Sequence, residues 1–344
     1  MSDHHGSPVT TPAPTPRVSL VIPLYNGGRV ISRALDSVRA QTFGDWEALV
    51  VDDCSTDDGA QAVRDYIEAT GDARIRLISL EANSGPSAAR NAGVAASSGD
   101  FVGFLDSDDE LLPVALDHLL ALAADSEVDV AAGAHVAKLA SGRESVRPDR
   151  VTGTLTGLEA VESLLQERIW NYNHGKIYRR RLFDAVQHRE DIRRYEDIIF
   201  NAAAYSYSTK VRFSATPVYA YYVDAASTTW SQKLTADFVT DTEAFLREGL
   251  NPEVAPLVSQ RSWRTMRTTL AVVVLSGALA GGADEQTVAA LSSVLRDKVR
   301  LRDLPDVFVC APVIAVSAVA ARIAPALYAS AYRTYIRRQY ELGA

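Results

Sequence analysis

The chain has 344 residues, which at roughly 100–200 residues per domain predicts two domains. Its 47% hydrophobic and 23% charged content lies near the average for globular proteins and excludes a disordered, collagenous or multi-span membrane chain. Thirty-five basic against 43 acidic side chains, a net charge of −8, exclude a general phosphate-backbone binder, so nucleic acid is not an expected partner.

Residues 1–16 (MSDHHGSPVTTPAPTP) lack a basic start followed by an apolar core, so they read as a disordered Pro/Thr-rich tail and not a secretory signal. From residue 17 the pattern alternates strand, turn and amphipathic helix. The β-branched run 17–24 ends at Pro23 and the turn residues Asn26, Gly27 and Gly28. Val30, Ala34, Leu35 and Val38 recur at helical spacing, and the run 47–51 is a second strand stopping at Asp52 and Asp53. A helix carrying Val63, Tyr66 and Ile67, a strand over 74–80, a small-residue helix over 87–96 and a strand over 101–105 follow. A helix over 114–124 and a strand near 128–136 close this half. The pattern then loosens: a helix near 158–167, an aromatic and basic stretch over 170–181 and a strand-like run at 215–223 precede a mostly helical remainder from about Thr235.

Strands separated by helices imply a mostly parallel sheet covered on both faces, with ligands gathering outside the carboxyl ends of the strands. Those ends carry Pro23 and Tyr25, Asp52 and Asp53, and the run Asp106-Ser107-Asp108-Asp109. In extended backbone Asp106 and Asp108 face one side, with Asp109 turned away or beginning a turn. Clustered carboxylates select a hard cation, Mg²⁺ or Mn²⁺, completed by substrate phosphates; the same tetrapeptide also reads as an acidic helix cap. Residues 83–93 (NSGPSAARNAG) offer a turn into a helix start with Arg90 one turn in, either an anion site or a device for close helix–sheet packing. Cys54 reads as a packing residue. With Cys310 far away in sequence there is no disulfide framework, which points to a cytoplasmic location.

Taken in order, SLVIPLYN, VVDDCSTDDG, NSGPSAARNAG and FVGFLDSDD resemble the nucleotide-binding half of the family-2 inverting glycosyltransferases with the GT-A fold, of the capsule and cell-wall polysaccharide type. The resemblance covers roughly residues 17–225. It implies a GT-A catalytic domain over 17–234, with a nucleotide half to 136 and an acceptor half beyond, followed by a helical region over 235–344. It further implies that Pro23 and Tyr25 line a nucleobase pocket, that Asp53 accepts a hydrogen bond from the base, and that Arg90 and Ser107 lie at the nucleotide sugar. Asp106 would touch the ribose or the metal, and Asp108 would ligate the Mn²⁺ or Mg²⁺ on the diphosphate, with Asp109 as a replacement ligand.

The segment RYEDIIF resembles the family's acceptor-side carboxylate motif and aligns Asp197 with the general base, Glu196 being the alternative. Residues 169–183 resemble a Trp-Asn-Lys-Leu-Tyr-Arg element of the same family, but His174-Gly175 stands where a single Asn is usual. His174 and Lys176 are therefore candidates for the acceptor side, His174 also reading as a structural residue.

The expected activity is metal-dependent inverting transfer from a nucleotide-diphosphate sugar, a UDP-sugar by resemblance, to a cell-surface glycan or lipid-linked acceptor. Two rivals are a sugar-1-phosphate nucleotidyltransferase, for which YNGGRV is a poor loop, and a catalytically silent nucleotide-sugar-binding module. The stretch 307–331 is apolar but broken by Pro312, Pro325 and Arg322, and 296–338 carries eight basic against three acidic residues. Such a region suits either peripheral contact with the inner face of a membrane or self-association.

Overall fold

The computed structural model describes residues 16–192, 194–223 and 237–340. Residues 1–15 of the expected tail, and the expected boundary at 234/235, lie outside the described residues. The first half runs β1 (Val18–Leu24), α1 (Ile31–Arg39), β2 (Trp46–Asp52), α2 (Gly59–Thr70), β3 (Ile75–Ser79), α3 (Pro86–Ala96) and β4 (Phe101–Phe104). The chain continues through β5 (Glu110–Leu111), α4 (Ala115–Leu122), β6 (Val128–Lys138), β7 (Glu144–Arg147), β8 (Gly153–Thr156), α5 (Gly157–Leu165), β9 (Lys176–Arg179), α6 (Glu196–Ser206) and β10 (Lys210–Tyr222). Helices α7 (Asp237–Gly249), α8 (Gln260–Ala280), α9 (Glu285–Lys298), α10 (Leu304–Cys310), α11 (Pro312–Ile323) and α12 (Pro325–Tyr340) complete a mainly helical C-terminal region.

One sheet has the order β3-β2-β1-β4-β9-β6-β10-β5, with β7 beside β6 and β8 beside β10. Strands β3, β2, β1 and β4 are mutually parallel, as are β6 and β10, whereas β9 lies antiparallel between β4 and β6. The sheet is therefore mostly parallel and flanked by helices, as expected. Strand β9, in the stretch read only as aromatic and basic, is one piece local pattern did not show, as are the short β5, β7 and β8: the four residues of β9 lack period-two polarity because both faces are covered.

From β1 the chain turns to β2 and β3 on one side and reaches β4 on the other, which opens a crevice at the carboxyl ends of β1 and β4. Pro23 marks its mouth. The pairing of β1 with β4 stops at Val21 and Phe104, while that with β2 continues through Pro23 and Val51. Alternation puts the Pro23 nitrogen on the same side as the Val21 carbonyl, which accepts from Leu105 N at 3.1 Å. Beyond that bond β4 has left the edge, so the donor proline lacks costs no ladder bond.

Helix α1 buries Ile31, Ala34, Leu35 and Val38, an i, i+3, i+4, i+7 stripe, against the sheet. Helix α3 packs closer, because Gly93 lies against Val21 and Val51, where a Cβ would come within 2.3 Å of Val21 Cγ1. Helix α5 starts with a reciprocal Thr156–Glu159 capping box. The C-terminal helices share the main core: Trp263, Leu275, Leu291 and Ala318 belong to the same buried cluster as Val21, Phe104 and Phe200.

Candidate active site

Three loops meet at the mouth of the crevice. Asn26, in the left-handed region at φ 53°, accepts from Thr56 N at 2.8 Å through its side-chain oxygen, and Asp57 accepts from Gly28 N at 3.0 Å and Gly59 N at 2.9 Å. These bonds zip the loop after β1 to the loop after β2 and leave Tyr25 half exposed between them. Cys54 stands exposed in the second loop at φ 58°, not packed in the core as expected, because the tight turn points it outward.

Asp53 is buried, and its two carboxylate oxygens accept from Ser84 N at 2.7 Å and Gly85 N at 2.8 Å. Gly85 has φ 93°, a conformation open to glycine, and Pro86 follows at the first helical position of α3. Asp53 thus fixes the start of α3, and Arg90 sits one turn further along the same helix.

The Arg90 guanidinium is nearly buried and joins three carboxylates. Its Nη2 lies 3.3 Å from Asp106 Oδ1, and its Nη1 lies 3.4 Å from both Glu196 Oε1 and Asp197 Oδ1. Burial works against its charge, but Asp197, Asp106 and Glu196 outweigh that and raise its pKa further. Enclosure likewise favours the neutral form of Asp106, yet His174 and Arg90 hold its pKa at about 2. Asp197 moves the other way: burial, with Glu196 and Asp106 nearby, overcomes Arg90 and lifts it to about 7.

The chain does not stay extended through Asp106-Ser107-Asp108-Asp109. Asp109 N donates to Asp106 O at 3.1 Å, closing a turn. The turn brings Asp109 back into the protein, where Tyr219 OH at 2.8 Å and Tyr222 N at 2.8 Å donate to its carboxylate. Burial and the neighbouring Asp106 and Asp108 charges push its pKa well above the usual carboxylate range. Ser107 is half-buried beside Gly27, and Asp108 is exposed at the tip of the turn.

His174 comes to the same place from the loop before β9. Its ring lies flat on Tyr219, centroids 4.2 Å apart and planes within 8°, with Nδ1 3.8 Å from Asp106 Oδ2. Tyr172 stacks on its other face at 4.7 Å, and Trp170 continues the column at 5.9 Å. Among the described residues, Asp106, Asp109 and His174 offer ligand atoms within 4.8 Å of one another, a group that does not include Asp108. The group fits a divalent cation in its donor types: two carboxylates and an imidazole converge, with His174 Nδ1 on the Asp106 side.

Two residues that sequence reasoning passed over hold Asp197. Asn173 donates to Asp197 Oδ1 from its side chain at 2.7 Å and to Oδ2 from its backbone at 3.3 Å. Asn201, one turn along α6, donates to Asn173 Oδ1 at 3.0 Å and accepts from Tyr178 OH at 2.7 Å. The signal for Asn201 was its i+4 spacing from Asp197 on one helix face. Asn173 carried none, since its partners are remote in sequence. Tyr195, at φ 57°, launches α6 from a left-handed position that costs on the order of 1 kcal/mol and turns Glu196 and Asp197 toward Arg90.

Lys176 is buried, donates from Nζ to Tyr172 O, and has its pKa lowered by burial against the pull of Asp149 and Asp197. The structure therefore gathers Arg90, Asp106, His174, Glu196 and Asp197 around one point, with Lys176 in a buried position behind the His174 loop. Pro23, Tyr25 and Asp53 form the other end of the crevice, connected through α3.

The family model described as glycosyl transferase family 2 matches residues 19–189. ExoO of Rhizobium meliloti, a succinoglycan biosynthesis protein, is 32% identical over 306 residues, covering 84% of either chain. EpsJ of Bacillus subtilis, described as an uncharacterized glycosyltransferase, is 33% identical over 60% of this chain and 61% of its own. This chain thus covers less than two thirds of the length of EpsJ. Among solved structures, Staphylococcus aureus TarS 1–349 in complex with UDP-GlcNAc matches with a TM-score of 0.67 at 20% identity, over 94% of this chain and 92% of that one, a likeness of fold. The chain belongs to glycosyl transferase family 2 and has the GT-A fold.

Proposed function

We propose that the chain moves a sugar from a UDP-sugar to a hydroxyl of a cell-surface glycan or lipid-linked acceptor, with inversion at the sugar carbon and with Mn²⁺ or Mg²⁺ bound. The observation that carries this reading is the Arg90 bridge, which holds a donor-side carboxylate, Asp106, and an acceptor-side carboxylate, Asp197, on one guanidinium. Inverting transfer needs a base on the acceptor side and charge stabilisation at the leaving group on the opposite side of the sugar.

Asp197, with a pKa lifted to about 7, takes the proton from the acceptor hydroxyl. The acceptor oxygen then bonds to the sugar carbon, the bond from that carbon to the diphosphate oxygen breaks, and its electron pair leaves with the diphosphate. Asn173 keeps the Asp197 carboxylate aimed. Asp106, Asp109 and His174 are the proposed cation ligands, and Asp108 and Ser107 stand at the exposed rim for the donor. Neutralisation of the departing diphosphate is what a divalent cation supplies there when bound.

Pro23 and Tyr25 line the base, and Asp53, its oxygens already holding the 84–85 backbone, presents its remaining lone pairs to a base N–H. Glu196 borders the acceptor side, whereas His174, an acceptor-side candidate by resemblance, is used here as a cation ligand and Lys176 braces the loop that carries it. Residues 17–234 carry this chemistry, and helices α7–α12 buttress it through the shared core. The UDP-GlcNAc bound by TarS and the succinoglycan role of ExoO accord with this donor and acceptor class.

Thermal-shift titration with UDP, GDP, CDP and TDP, with and without Mn²⁺, tests the donor reading, because a ligand of the folded state alone raises its stability. A Mn²⁺-dependent rise with UDP alone is expected. No rise with any nucleotide would overturn the reading, and donor binding without UDP release in the presence of glycan acceptors would favour the silent module.

A further inference from the structure

We propose that helices α10–α12 form a surface that docks on an anionic lipid bilayer, with the chain lying on the membrane and not crossing it. Helix α11 is built inside out. It buries Ala315, Ala318 and Ala321, and it turns the larger Val313, Val316 and Ile323 outward at 69%, 58% and 78% exposure. At 3.6 residues per turn these exposed positions fall on one stripe opposite the alanines. Phe308 and Val309 on α10 and Leu327 on α12 are exposed as well, and α10 and α12 both pack on α11. A run of exposed apolar side chains on consecutive packed helices marks an interaction surface.

The charge pattern selects the partner. Between residues 307 and 340 the sequence has no Asp or Glu and four Arg, of which Arg322 turns inward onto the Val299 carbonyl, in a chain whose net charge is −8. Just before α10, the exposed side chains of Lys298, Arg300 and Arg302 have no carboxylate partner among the described residues, and with Arg247, Arg264 and Arg267 they outnumber Glu243, Asp297 and Asp303 in the lining of a cleft of about 560 Å³. Leu301, between two of those cations, is itself exposed. Exposed apolar side chains that follow unpaired cations in the chain, with Leu301 set between Arg300 and Arg302, match acyl chains beneath lipid phosphates.

A second copy is the poorer partner. A two-fold contact through this face would set its cations against their own images. Nor does the face belong to a spanning segment: no helix among the described residues is long and apolar enough to cross a membrane. Helix α11, at 12 residues and 1.5 Å per residue, reaches only about 18 Å against roughly 30 Å of hydrocarbon.

The proposal stands apart from the transfer chemistry and is tested without it. The full chain is floated with phosphatidylcholine vesicles and with vesicles containing about 30% phosphatidylglycerol. Alongside it run the variants Val313→Ser/Val316→Ser/Ile323→Ser and Arg300→Glu/Arg302→Glu, with circular dichroism and light scattering confirming fold and mass. The expected result is binding to the anionic vesicles, at least about tenfold weaker to neutral ones, and a loss of similar size in each variant. Absence of binding by the unaltered chain, or equal binding by the chain and the serine variant, would overturn the proposal. So would a dimer that the serine variant dissolves.

Discussion

Arg90 and Asp197 meet at 3.4 Å although 107 residues separate them. The same guanidinium reaches Asp106 and Glu196, so one buried cation balances three carboxylates. Removing it leaves those part-buried charges without compensation. Arg90→Ala is expected to destabilise the fold by about 3–5 kcal/mol, and Arg90→Lys, which keeps the charge but not the fork, by less. Urea unfolding of both variants checks the order; equal, small losses would show that the bridge contributes little.

Because the Asp197 carboxyl is lifted to about 7 and a base works only when ionised, transfer should rise as pH increases. Below pH 7 the rate is expected to fall by about tenfold per unit, with a plateau above about pH 8. Asp197→Asn should keep UDP binding, lose transfer by on the order of 10²–10⁴-fold, and abolish the pH slope. A variant that retained the slope would move the base to Glu196.

His174 brings an imidazole to a site otherwise made of carboxylates, which favours a transition ion over Mg²⁺. His174→Ala is expected to weaken Mn²⁺ binding by on the order of tenfold and to leave Mg²⁺ binding little changed. Loss of the free-ion Mn²⁺ paramagnetic resonance signal on titration, read with UDP present, measures this. Equal affinities in the two proteins would take His174 out of the ligand set.

Asp53 holds two backbone N–H groups, those of Ser84 and Gly85, at the entrance to α3. Asp53→Ala leaves the buried Gly85 N–H and the part-buried Ser84 N–H without their acceptor and should cost about 1–3 kcal/mol. Hydrogen exchange at residues 84–90 should speed up more than exchange in β1, because the damage is local.

Gly93 lets α3 lie against Val21 and Val51. Gly93→Ala puts a methyl 2.3 Å from Val21 Cγ1, forces the helix off the sheet and is expected to cost about 1–3 kcal/mol. The shift also moves Arg90, so UDP affinity should drop with stability. A variant of unchanged melting temperature would show that Val21 can turn aside.

Much of the fold was readable from local pattern. The alternation of β-branched runs with helical stripes from β1 to β4 depends on periods of 2 and 3.6, which neighbouring residues set among themselves. Turn chemistry at Asn26-Gly27-Gly28, Asp52-Asp53 and Gly85-Pro86 likewise marked where strands end, and the resemblance built on those segments led to the family that the comparisons show.

What escaped the pattern is what depends on distant partners. Strand β9 enters the sheet antiparallel because β4 and β6 leave a gap its backbone fills, and nothing within its four residues announces that. The tetrapeptide Asp106–Asp109 looked extended, yet Tyr219 and Tyr222, more than 100 residues away, pull Asp109 inward and close the turn. Asn173 and Asn201 acquire their role only once α6 lies beside the β9 loop. The sequence by itself determined the strand–helix order from β1 to β4, the carboxylates delivered to the strand ends and the apolar, basic character of the C-terminal helices, since each follows from spacing and composition. Which carboxylates converge, what Arg90 balances and which face of α11 meets solvent were decided by tertiary packing, because long-range burial sets them and local periodicity cannot.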